Sequence, residues 1–253
     1  MTEAQVHNFL VWETIALSGV IFLFLLVRAA PYGRHYGGSG WGPHVSASVG
    51  WFIMELPATA FFWIVYVRGS QAGELVPILF LIVWQAHYVH RTFIYPLRTS
   101  NSGRRMPLIV VGPGFLFNMV NAYINARFIS EFGHFDIAWL GDIRFQMGIG
   151  VFLAGMILNL HSDGILLRLR QSSQSGYEIP TGGAFRFVSC PNYLGEILEW
   201  AGWALATWSL SGLSFFLFTA ANLIPRARSN HRWYHNTFDA YPPQRKALIP
   251  WVF

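Results

Sequence analysis

Cysteine is nearly absent from this chain, which has one, Cys190, among 253 residues. A single cysteine excludes an internal disulfide, and the sequence has no Cys/His cluster at zinc spacing and no His-Glu-x-x-His run. Charge is also scarce, because Asp, Glu, Lys and Arg make up 11% of the residues while hydrophobic residues make up 53% and aromatic residues 17%. This composition excludes a disulfide scaffold and a zinc protein, and it favours a membrane protein.

Four carboxylates lie inside or at the ends of the apolar runs, namely Glu55, Asp163, Glu196 and Glu199. A carboxylate near the bilayer centre costs roughly 2.5–3.5 kcal/mol, so four would cost about 10 kcal/mol if they were unpaired in lipid. They must face a protein-lined cavity, carry a proton or meet hydrogen-bond donors. The pattern predicts a polar chamber among membrane helices, as in an intramembrane enzyme, transporter or receptor.

Apolar runs of about 20 residues mark transmembrane helices. They occur at 9–27, 45–67, 75–95, 107–128 and 145–159. A further run at 193–223 is too long for one span, and a break at 209–212 predicts a helical hairpin. The sequence therefore predicts an all-α polytopic membrane protein with seven transmembrane helices, folded as a single domain over 1–253. The first run is expected to be a retained anchor, because it has no small-residue cleavage site.

The basic residues predict the orientation of these spans. With seven spans, 14 of the 17 Lys and Arg residues lie on one side, and only Arg68, Arg127 and Arg144 lie on the other. The positive-inside rule then places the N-terminus outside and the C-terminus in the cytoplasm. Because topology explains the net charge of +5, no nucleic-acid partner is expected. Arginine exceeds lysine by 16 to 1, which indicates a bacterial source and the inner membrane, or the endoplasmic reticulum in a eukaryote.

One polar segment closes the predicted fifth span. Asn159 and Asp163 are four residues apart and share a helix face, and Arg168 and Arg170 follow them. Two interpretations stay open: a polar helix end with interfacial arginine anchors, or a mouth that binds an anionic ligand.

A second polar segment begins the hairpin. Asn192, Glu196 and Glu199 follow i, i+4 and i+7 along one helix face, and Gly195 and Gly202 allow a neighbouring helix to approach closely. The stripe can hold helices together through hydrogen bonds, but two carboxylates exceed what that requires. The pattern favours a ligand-facing surface.

Two other spans also carry polar groups. Glu55 is a solitary acid in the middle of its helix, close to Pro57, while Tyr88 and Arg91 are three residues apart on one face. A buried tyrosine is commonly a packed aromatic with a satisfied hydroxyl, but the polar cluster around this one favours a functional role. The basic and aromatic run at 226–234 is typical of an interfacial anchor.

Taken in order, these segments resemble the steroid 5α-reductase family. The matching runs are 87–95, 142–145, 159–163, 177–180, 192–200 and 241–253. Two of them are highly specific: Asn-Leu-His-Ser-Asp at 159–163 and Leu-Gly-Glu-Ile-Leu-Glu-Trp at 194–200. The resemblance is strong from about Glu55 to the end of the chain and weak in the first span.

The resemblance implies an NADPH-dependent reductase of the Δ4 double bond of 3-oxo-steroids, in which seven transmembrane helices enclose a cofactor and substrate cavity. It implies that Glu55 and Tyr88 hydrogen-bond the substrate carbonyl. The cofactor-binding candidates are Arg91, Arg104, Arg105, Asn159, Asp163, Arg168, Arg170, Tyr177, Asn192, Glu196, Arg226, His231 and Tyr234. The chain departs from the family at Asn230, where a histidine is expected.

The chemistry of the residues agrees with this reaction. Hydride delivery to the β-carbon of an enone builds negative charge on the carbonyl oxygen, and donors aimed at that oxygen lower the barrier. The Tyr88 hydroxyl is one such donor, and the Glu55 carboxyl is another if it is protonated. No Gly-x-Gly-x-x-Gly occurs on a strand–helix turn. We therefore expect the dinucleotide to lie among helices, with arginines at its phosphates.

Three other functions stay open at this point. A reductase of another lipid enone or of a polyprenol would share the cofactor residues. An intramembrane methyltransferase of lipids or prenyl-cysteine would use S-adenosylmethionine, which has no phosphate and would leave the arginine excess unexplained. A non-catalytic sterol-binding protein is the third. The expected partners are a steroid or lipid substrate and the membrane lipids, and a monomer is expected.

Overall fold

A computed structural model describes residues 1–29, 33–35, 41–99, 103–172 and 177–253, and in these ranges the chain is predominantly helical. The described residues form nine α-helices. They are α1 (Glu3–Val27), α2 (Ala47–Leu56), α3 (Phe62–Tyr66), α4 (Leu75–Val89), α5 (Tyr95–Thr99), α6 (Leu108–Arg127), α7 (Ile143–Ser172), α8 (Pro191–Thr207) and α9 (Leu210–Thr237). The helical class predicted from the apolar runs is confirmed.

Three π-helical segments extend or join these helices. Pro57–Phe61 joins α2 to α3, His90–Ile94 joins α4 to α5, and Phe128–Phe132 extends α6. Because Pro57 has no N–H, it cannot donate to the carbonyl of Ile53, and the regular ladder cannot continue unchanged through it. Such wide turns are frequent at functional sites. Short 3₁₀ turns occur at Gly33–His35, Ile137–Gly141 and Gly183–Arg186.

Among the described residues, a small antiparallel sheet is an extended element that the prediction did not include. Its strands are β1 (His44–Ser46) and β2 (Arg105–Pro107), with Val45 opposite Met106. The Ser46 side chain accepts a hydrogen bond from the Val49 amide, which caps the start of α2. The pairing therefore fixes where α2 begins.

Four of the helical stretches in the described chain are long and apolar enough to cross a membrane. They are Glu3–Val27, Ala47–Tyr66, Leu108–Phe132 and Ile143–Gln171. Each corresponds to a run predicted from the sequence, and together they indicate an integral membrane protein. The count of seven spans stays a prediction.

The predicted element ends are wrong in two places. The fifth run was expected to end near Asn159, but α7 continues to Ser172, because Asn159 and Asp163 are buried against protein and do not end the helix. The hairpin break lies at 208–209 and not at 209–212. Trp208 adopts a left-handed conformation with φ 46°, which stops α8 after Thr207.

The chain forms two compact units that are interleaved in sequence. The first unit comprises Met1–Glu13, Ala30–Gln146 and Ser209–Ser211, and the second comprises Thr14–Ala29, Met147–Trp208 and Gly212–Phe253.

In the first unit, aromatic packing forms the core, with Phe62 stacked on Trp84 at a centroid distance of 4.5 Å. An ion pair between Arg127 and Glu3, with nitrogen–oxygen distances of 2.7 and 2.8 Å, fixes the start of α1. In the second unit, the Trp200 ring lies 4.2 Å from that of Phe215 and 5.9 Å from that of Phe152.

Glycines allow α7 and α8 to pack closely within the second unit. A Cβ atom added at Gly195 would lie 2.7 Å from the Gly155 carbonyl oxygen, and one added at Gly202 would lie 2.6 Å from the Gly148 carbonyl oxygen. Both pairs are seven residues apart in their own helices. The close approach expected from Gly195 and Gly202 therefore occurs, and it brings the backbone of Asn159 against α8.

Candidate active site

Glu55 lies in the last turn of α2 and is 8% exposed. The Nδ2 atom of Asn118, from α6, donates to Glu55 Oε2 at 3.2 Å and to the Met54 carbonyl oxygen at 2.8 Å. The Thr92 hydroxyl donates to the Glu55 carbonyl oxygen at 3.2 Å. Side chains from two other helical segments therefore hydrogen-bond the Glu55 carboxyl and the backbone around it. In membrane proteins, such side chains satisfy backbone groups that a nearby proline leaves without a partner.

Tyr88 lies in the last turn of α4, is 3% exposed and packs against the rings of Trp84 and His87, each with a centroid distance of 4.9 Å. Two further bonds fix α4 against the turn that follows α2. Trp84 Nε1 donates to the Ala58 carbonyl oxygen at 2.8 Å, and Gln85 Nε2 donates to that of Thr59 at 3.1 Å.

These hydrogen bonds fix the helical segments on which the predicted catalytic pair lies. Trp84 and Gln85 contact residues just after Glu55, while Thr92 contacts Glu55 itself. Tyr88 lies between these anchoring positions along its helix. Moreover, Glu55 and Tyr88 each stand two residues before a π-helical segment. The fold thus gives both residues a buried, firmly anchored and locally irregular setting in the first unit.

The three predicted cofactor arginines of the first unit have separate settings. The Arg91 guanidinium lies over the rings of Trp51 and Tyr95, at 4.9 and 5.1 Å from their centroids. Arg104 is half-buried, and its carbonyl oxygen accepts a hydrogen bond from the Ala47 amide at 2.8 Å. Arg105 is exposed in β2. The described contacts of these three residues therefore differ: ring faces for Arg91, a backbone hydrogen bond for Arg104 and an exposed side chain for Arg105.

In the second unit, three predicted residues meet. Asn159 Nδ2 donates to the Asn192 carbonyl oxygen at 2.9 Å, and Asn192 Nδ2 donates to Asp163 Oδ1 at 3.0 Å. Asn159 and Asp163 are both buried, whereas Asn192 is half-buried at the start of α8. The close packing of α7 on α8 places this acid and these amides together, so the first and second polar motifs of the sequence form one cluster.

Arg226 belongs to a second group of contacts, centred on a tyrosine. Arg226 Nη2 donates to the Tyr193 hydroxyl at 3.3 Å, and Arg226 Nη1 donates to Asn222 Oδ1 at 3.1 Å. Asn230 Nδ2 donates to the same hydroxyl at 3.3 Å. Asn230, where the resemblance predicts a histidine, therefore hydrogen-bonds Tyr193 in this chain.

His231 and Tyr234 belong to a third group, near the C-terminal segment. His231 Nδ1 lies 2.6 Å from the Ser189 hydroxyl, which also lies 2.7 Å from the Tyr241 hydroxyl. The Tyr234 ring stacks on that of Tyr241, with centroids 5.1 Å apart and planes 8° from parallel. Burial, followed by the charges of His235 and Lys246, lowers the pKa of His231 and disfavours the charged form of this imidazole.

The remaining predicted residues lie around these groups. The Tyr177 ring packs on that of Trp233, with centroids 5.2 Å apart. Arg168 is exposed and Arg170 is half-buried near the end of α7. Glu196 is half-buried in α8. Amides, a carboxylate, guanidinium groups and aromatic faces are thus present in the second unit, and these groups suit the bases, sugars and phosphates of a dinucleotide.

Comparison with known proteins decides the family. A family model described as 3-oxo-5-alpha-steroid 4-dehydrogenase matches residues 104–253. The chain is 40% identical over 258 residues to the steroid 5-alpha-reductase DET2 of Solanum lycopersicum, which covers 100% of this chain and 99% of that protein. The chain belongs to the 3-oxo-5α-steroid 4-dehydrogenase family.

Other members of this family are as similar. The chain is 44% identical over 232 residues to the steroid 5-alpha-reductase DET2 of Arabidopsis thaliana, with 88% of each protein covered. It is 42% identical over 225 residues to the 3-oxo-5-alpha-steroid 4-dehydrogenase 1 of Rattus norvegicus, with 88% of this chain and 86% of that protein covered. The resemblance stated from the sequence is confirmed, and a dehydrogenase or reductase family implies a nicotinamide cofactor.

Sequence reasoning missed three residues that the structure of this 3-oxo-5α-steroid 4-dehydrogenase family member brings into contact with predicted ones. They are Asn118, Ser189 and Tyr193. A signal existed for the first, because Asn118, Asn121 and Asn125 recur at i, i+3 and i+7 in an apolar helix. Ser189 and Tyr193 carry no such signal, since their partners are 42 and 33 residues away in sequence.

Proposed function

We propose that this protein reduces the Δ4 carbon–carbon double bond of 3-oxo-steroids to give 5α-3-oxo-steroids, with NADPH as the reductant. The observation that carries the proposal is the buried and anchored pair Glu55 and Tyr88, in a chain that is 40% identical over its whole length to a steroid 5-alpha-reductase. Both side chains can donate a hydrogen bond to a carbonyl oxygen when Glu55 is protonated.

The residues of the first unit act on the substrate carbonyl. A bound reduced nicotinamide would supply the hydride that adds to the β-carbon of the enone, while the electrons of the double bond would move towards the 3-oxo oxygen. The Tyr88 hydroxyl and the Glu55 carboxyl stabilise the charge that develops there. A proton from solvent or a polar neighbour then adds to the α-carbon and restores the ketone.

Residues of α7, α8 and α9 are proposed to contribute to the cofactor site, together with Arg91, Arg104 and Arg105. Asn159, Asp163 and Asn192 form a hydrogen-bonded cluster, and Glu196 lies one turn after Asn192 at the proposed nicotinamide end. Arg226 and Arg170 are proposed to meet the phosphates. We favour NADPH over NADH because the 2′-phosphate needs extra positive charge, and Arg170 is its proposed partner.

We also propose that seven helices span the membrane, with the N-terminus outside and the C-terminus in the cytoplasm. Cys190 is too buried to report on this, since it packs with Ala227 and Leu248. A cysteine introduced at the exposed Asn236 should resist a membrane-impermeant thiol reagent in intact cells, and one at the exposed Ala138 should react. The reverse pattern would contradict the orientation.

The direct test of the function uses the unmodified protein purified in detergent. Incubation with NADPH and a Δ4-3-oxo-steroid should consume NADPH and give the 5α product, identified by mass spectrometry against authentic 5α and 5β standards. A protein that consumes NADPH only with a polyprenol or another lipid enone would keep the reductase chemistry and change the substrate. Transfer of a methyl group from S-adenosylmethionine, without reduction, would contradict the proposal.

A further inference from the structure

Asn118 contacts Glu55 from a helix that carries none of the predicted site residues. It lies in α6, is 6% exposed, and its Nδ2 atom is shared between Glu55 Oε2 at 3.2 Å and the Met54 carbonyl oxygen at 2.8 Å. An amide nitrogen has two hydrogens and no acceptor capacity, so each hydrogen can serve one of these two oxygens.

The Met54 contact fixes which way the Asn118 amide points. If the amide were turned over, its oxygen would face the Met54 carbonyl oxygen, and two acceptors would oppose each other. The nitrogen must therefore face both Met54 and Glu55. It follows that Glu55 Oε2 accepts a hydrogen bond, which favours Oε1 over Oε2 as the site of a proton on the Glu55 carboxyl.

The backbone at this position is fixed as well. Asn118 holds the Met54 carbonyl, and the Thr92 hydroxyl holds the Glu55 carbonyl at 3.2 Å, just before the helix meets Pro57. A carboxyl group on a free side chain could turn and present either oxygen. Here the backbone on either side of the Met54–Glu55 peptide is held by two hydrogen bonds, and Oε2 accepts a third from Asn118.

We propose that Asn118 is a positioning residue for the reduction, which orients the Glu55 carboxyl so that its protonated oxygen is directed at the substrate carbonyl. The inference rests on the proposed function, because it assigns Glu55 the role of a donor to the 3-oxo oxygen. Asn118 itself need not touch the steroid. Its effect on turnover passes through Glu55 and should vanish when the carboxyl group is removed.

A double-mutant cycle tests this dependence. Asn118→Leu replaces the amide with an apolar group of similar size, and we expect kcat with a Δ4-3-oxo-steroid to fall by about 10–100-fold while KM for NADPH changes by less than about 3-fold. In a Glu55→Leu background the same substitution should change kcat by less than about 3-fold. Equal fold-losses in both backgrounds would overturn the proposal, since they would show a general structural effect.

The control is Asn125→Leu, the same change seven residues further along α6. Asn125 is buried, and its described hydrogen bonds go to the backbone and side-chain oxygens of Asn121. It should lower the thermal midpoint and leave kcat within about 3-fold. If Asn118→Leu does not fold, Asn118→Ser is used in the same cycle, because a serine hydroxyl is too short to serve both oxygens.

A binding measurement completes the test if the Glu55→Leu enzymes turn over too slowly. The affinity of cofactor-free protein for a 3-oxo-steroid and for its 3-deoxy analogue is compared, and Asn118→Leu should weaken only the 3-oxo ligand. Equal weakening of both ligands overturns the assignment. Failure of the proposed function is distinct, because it would show as an unmodified enzyme that does not reduce any Δ4-3-oxo-steroid.

Discussion

The Asn230 side chain donates a hydrogen bond to the Tyr193 hydroxyl over 3.3 Å, and Arg226 donates to the same hydroxyl. Asn230, at a position where the sequence resemblance predicts a histidine, is thus part of the support for a proposed phosphate ligand. Arg226 also lies over the Tyr193 ring, 5.3 Å from its centroid. One tyrosine therefore orients two donors from α9.

This relationship predicts the effect of Tyr193→Phe, which keeps the ring and removes the acceptor. Arg226 should keep its contact with the ring but lose one hydrogen bond that directs it, so we expect KM for NADPH to rise by about 3–10-fold at an unchanged KM for steroid. Steady-state kinetics with each substrate varied in turn measures this. An unchanged KM for NADPH would show that Tyr193 does not contribute to cofactor binding.

The packing of α7 on α8 predicts that Gly195→Ala is strongly destabilising. Its Cβ would lie 2.7 Å from the Gly155 carbonyl oxygen, and backbone cannot move aside as a side chain can. We expect a loss of about 1–3 kcal/mol in stability, together with weaker cofactor binding as Asn159 is pushed from Asn192.

Gly150→Ala is the matched control, since Gly150 lies in α7 with no atom within 4 Å of an added Cβ. It should be neutral or slightly stabilising, because alanine favours helix more than glycine by about 1 kcal/mol. Thermal unfolding in detergent compares the two variants. Similar midpoints would show that α7 and α8 are not packed as described.

His231 predicts a pH dependence of stability. Its pKa in the folded protein is lowered, chiefly by burial and further by His235 and Lys246, whereas an unfolded histidine titrates near about 6.5. Between these two values the unfolded chain binds more protons than the folded one. The contribution of His231 to stability is therefore complete above about pH 6.5 and decreases as the pH falls below that value.

The measurement is the thermal midpoint in detergent from about pH 8 to about pH 5, in the unmodified protein and in His231→Asn. We expect the unmodified protein to lose more stability on acidification than the variant does. The neighbouring titratable groups, His235, Tyr241 and Lys246, are the same in both proteins. Parallel pH profiles would show that the pKa of His231 in the folded protein is not lower than its pKa in the unfolded chain.

The preference for NADPH predicts a selective effect of Arg170→Ala. If Arg170 meets the 2′-phosphate, its loss should raise KM for NADPH by about 10-fold or more and leave KM for NADH unchanged. Arg228→Ala, at an exposed position of α9, is the control and should change neither. An equal loss with NADH and NADPH would move Arg170 away from the 2′-phosphate, and equal use of both cofactors by the unmodified protein would contradict the preference itself.

The helical architecture could be predicted because apolar runs of membrane length leave few alternatives. The ends of the helices could not be predicted, because a buried polar residue such as Asp163 looks like a helix terminus when its partners in α8 are unknown. The left-handed turn at Trp208 could not be predicted from the sequence either, since tryptophan has no preference for that conformation.

The residues of the candidate site could likewise be predicted only in part. Glu55 and Tyr88 could be chosen because a lone acid and a phenol in apolar runs demand an explanation. The contact between Asn118 and Glu55 could not be predicted, because 63 residues separate the two and no local sequence pattern indicates that they meet. The single domain, the monomer and the seven spans stay predictions.

The most direct test of the central claim is the turnover of Tyr88→Phe with NADPH and a Δ4-3-oxo-steroid. The variant keeps the packing on Trp84 and His87 and removes one donor, so kcat should fall by about 10²–10³-fold with a modest loss of steroid affinity. Tyr66→Phe removes another buried hydroxyl of the same unit, which donates to the Ala72 carbonyl oxygen at 2.9 Å, and it should retain normal kcat. Full 5α-reduction by Tyr88→Phe would contradict the account.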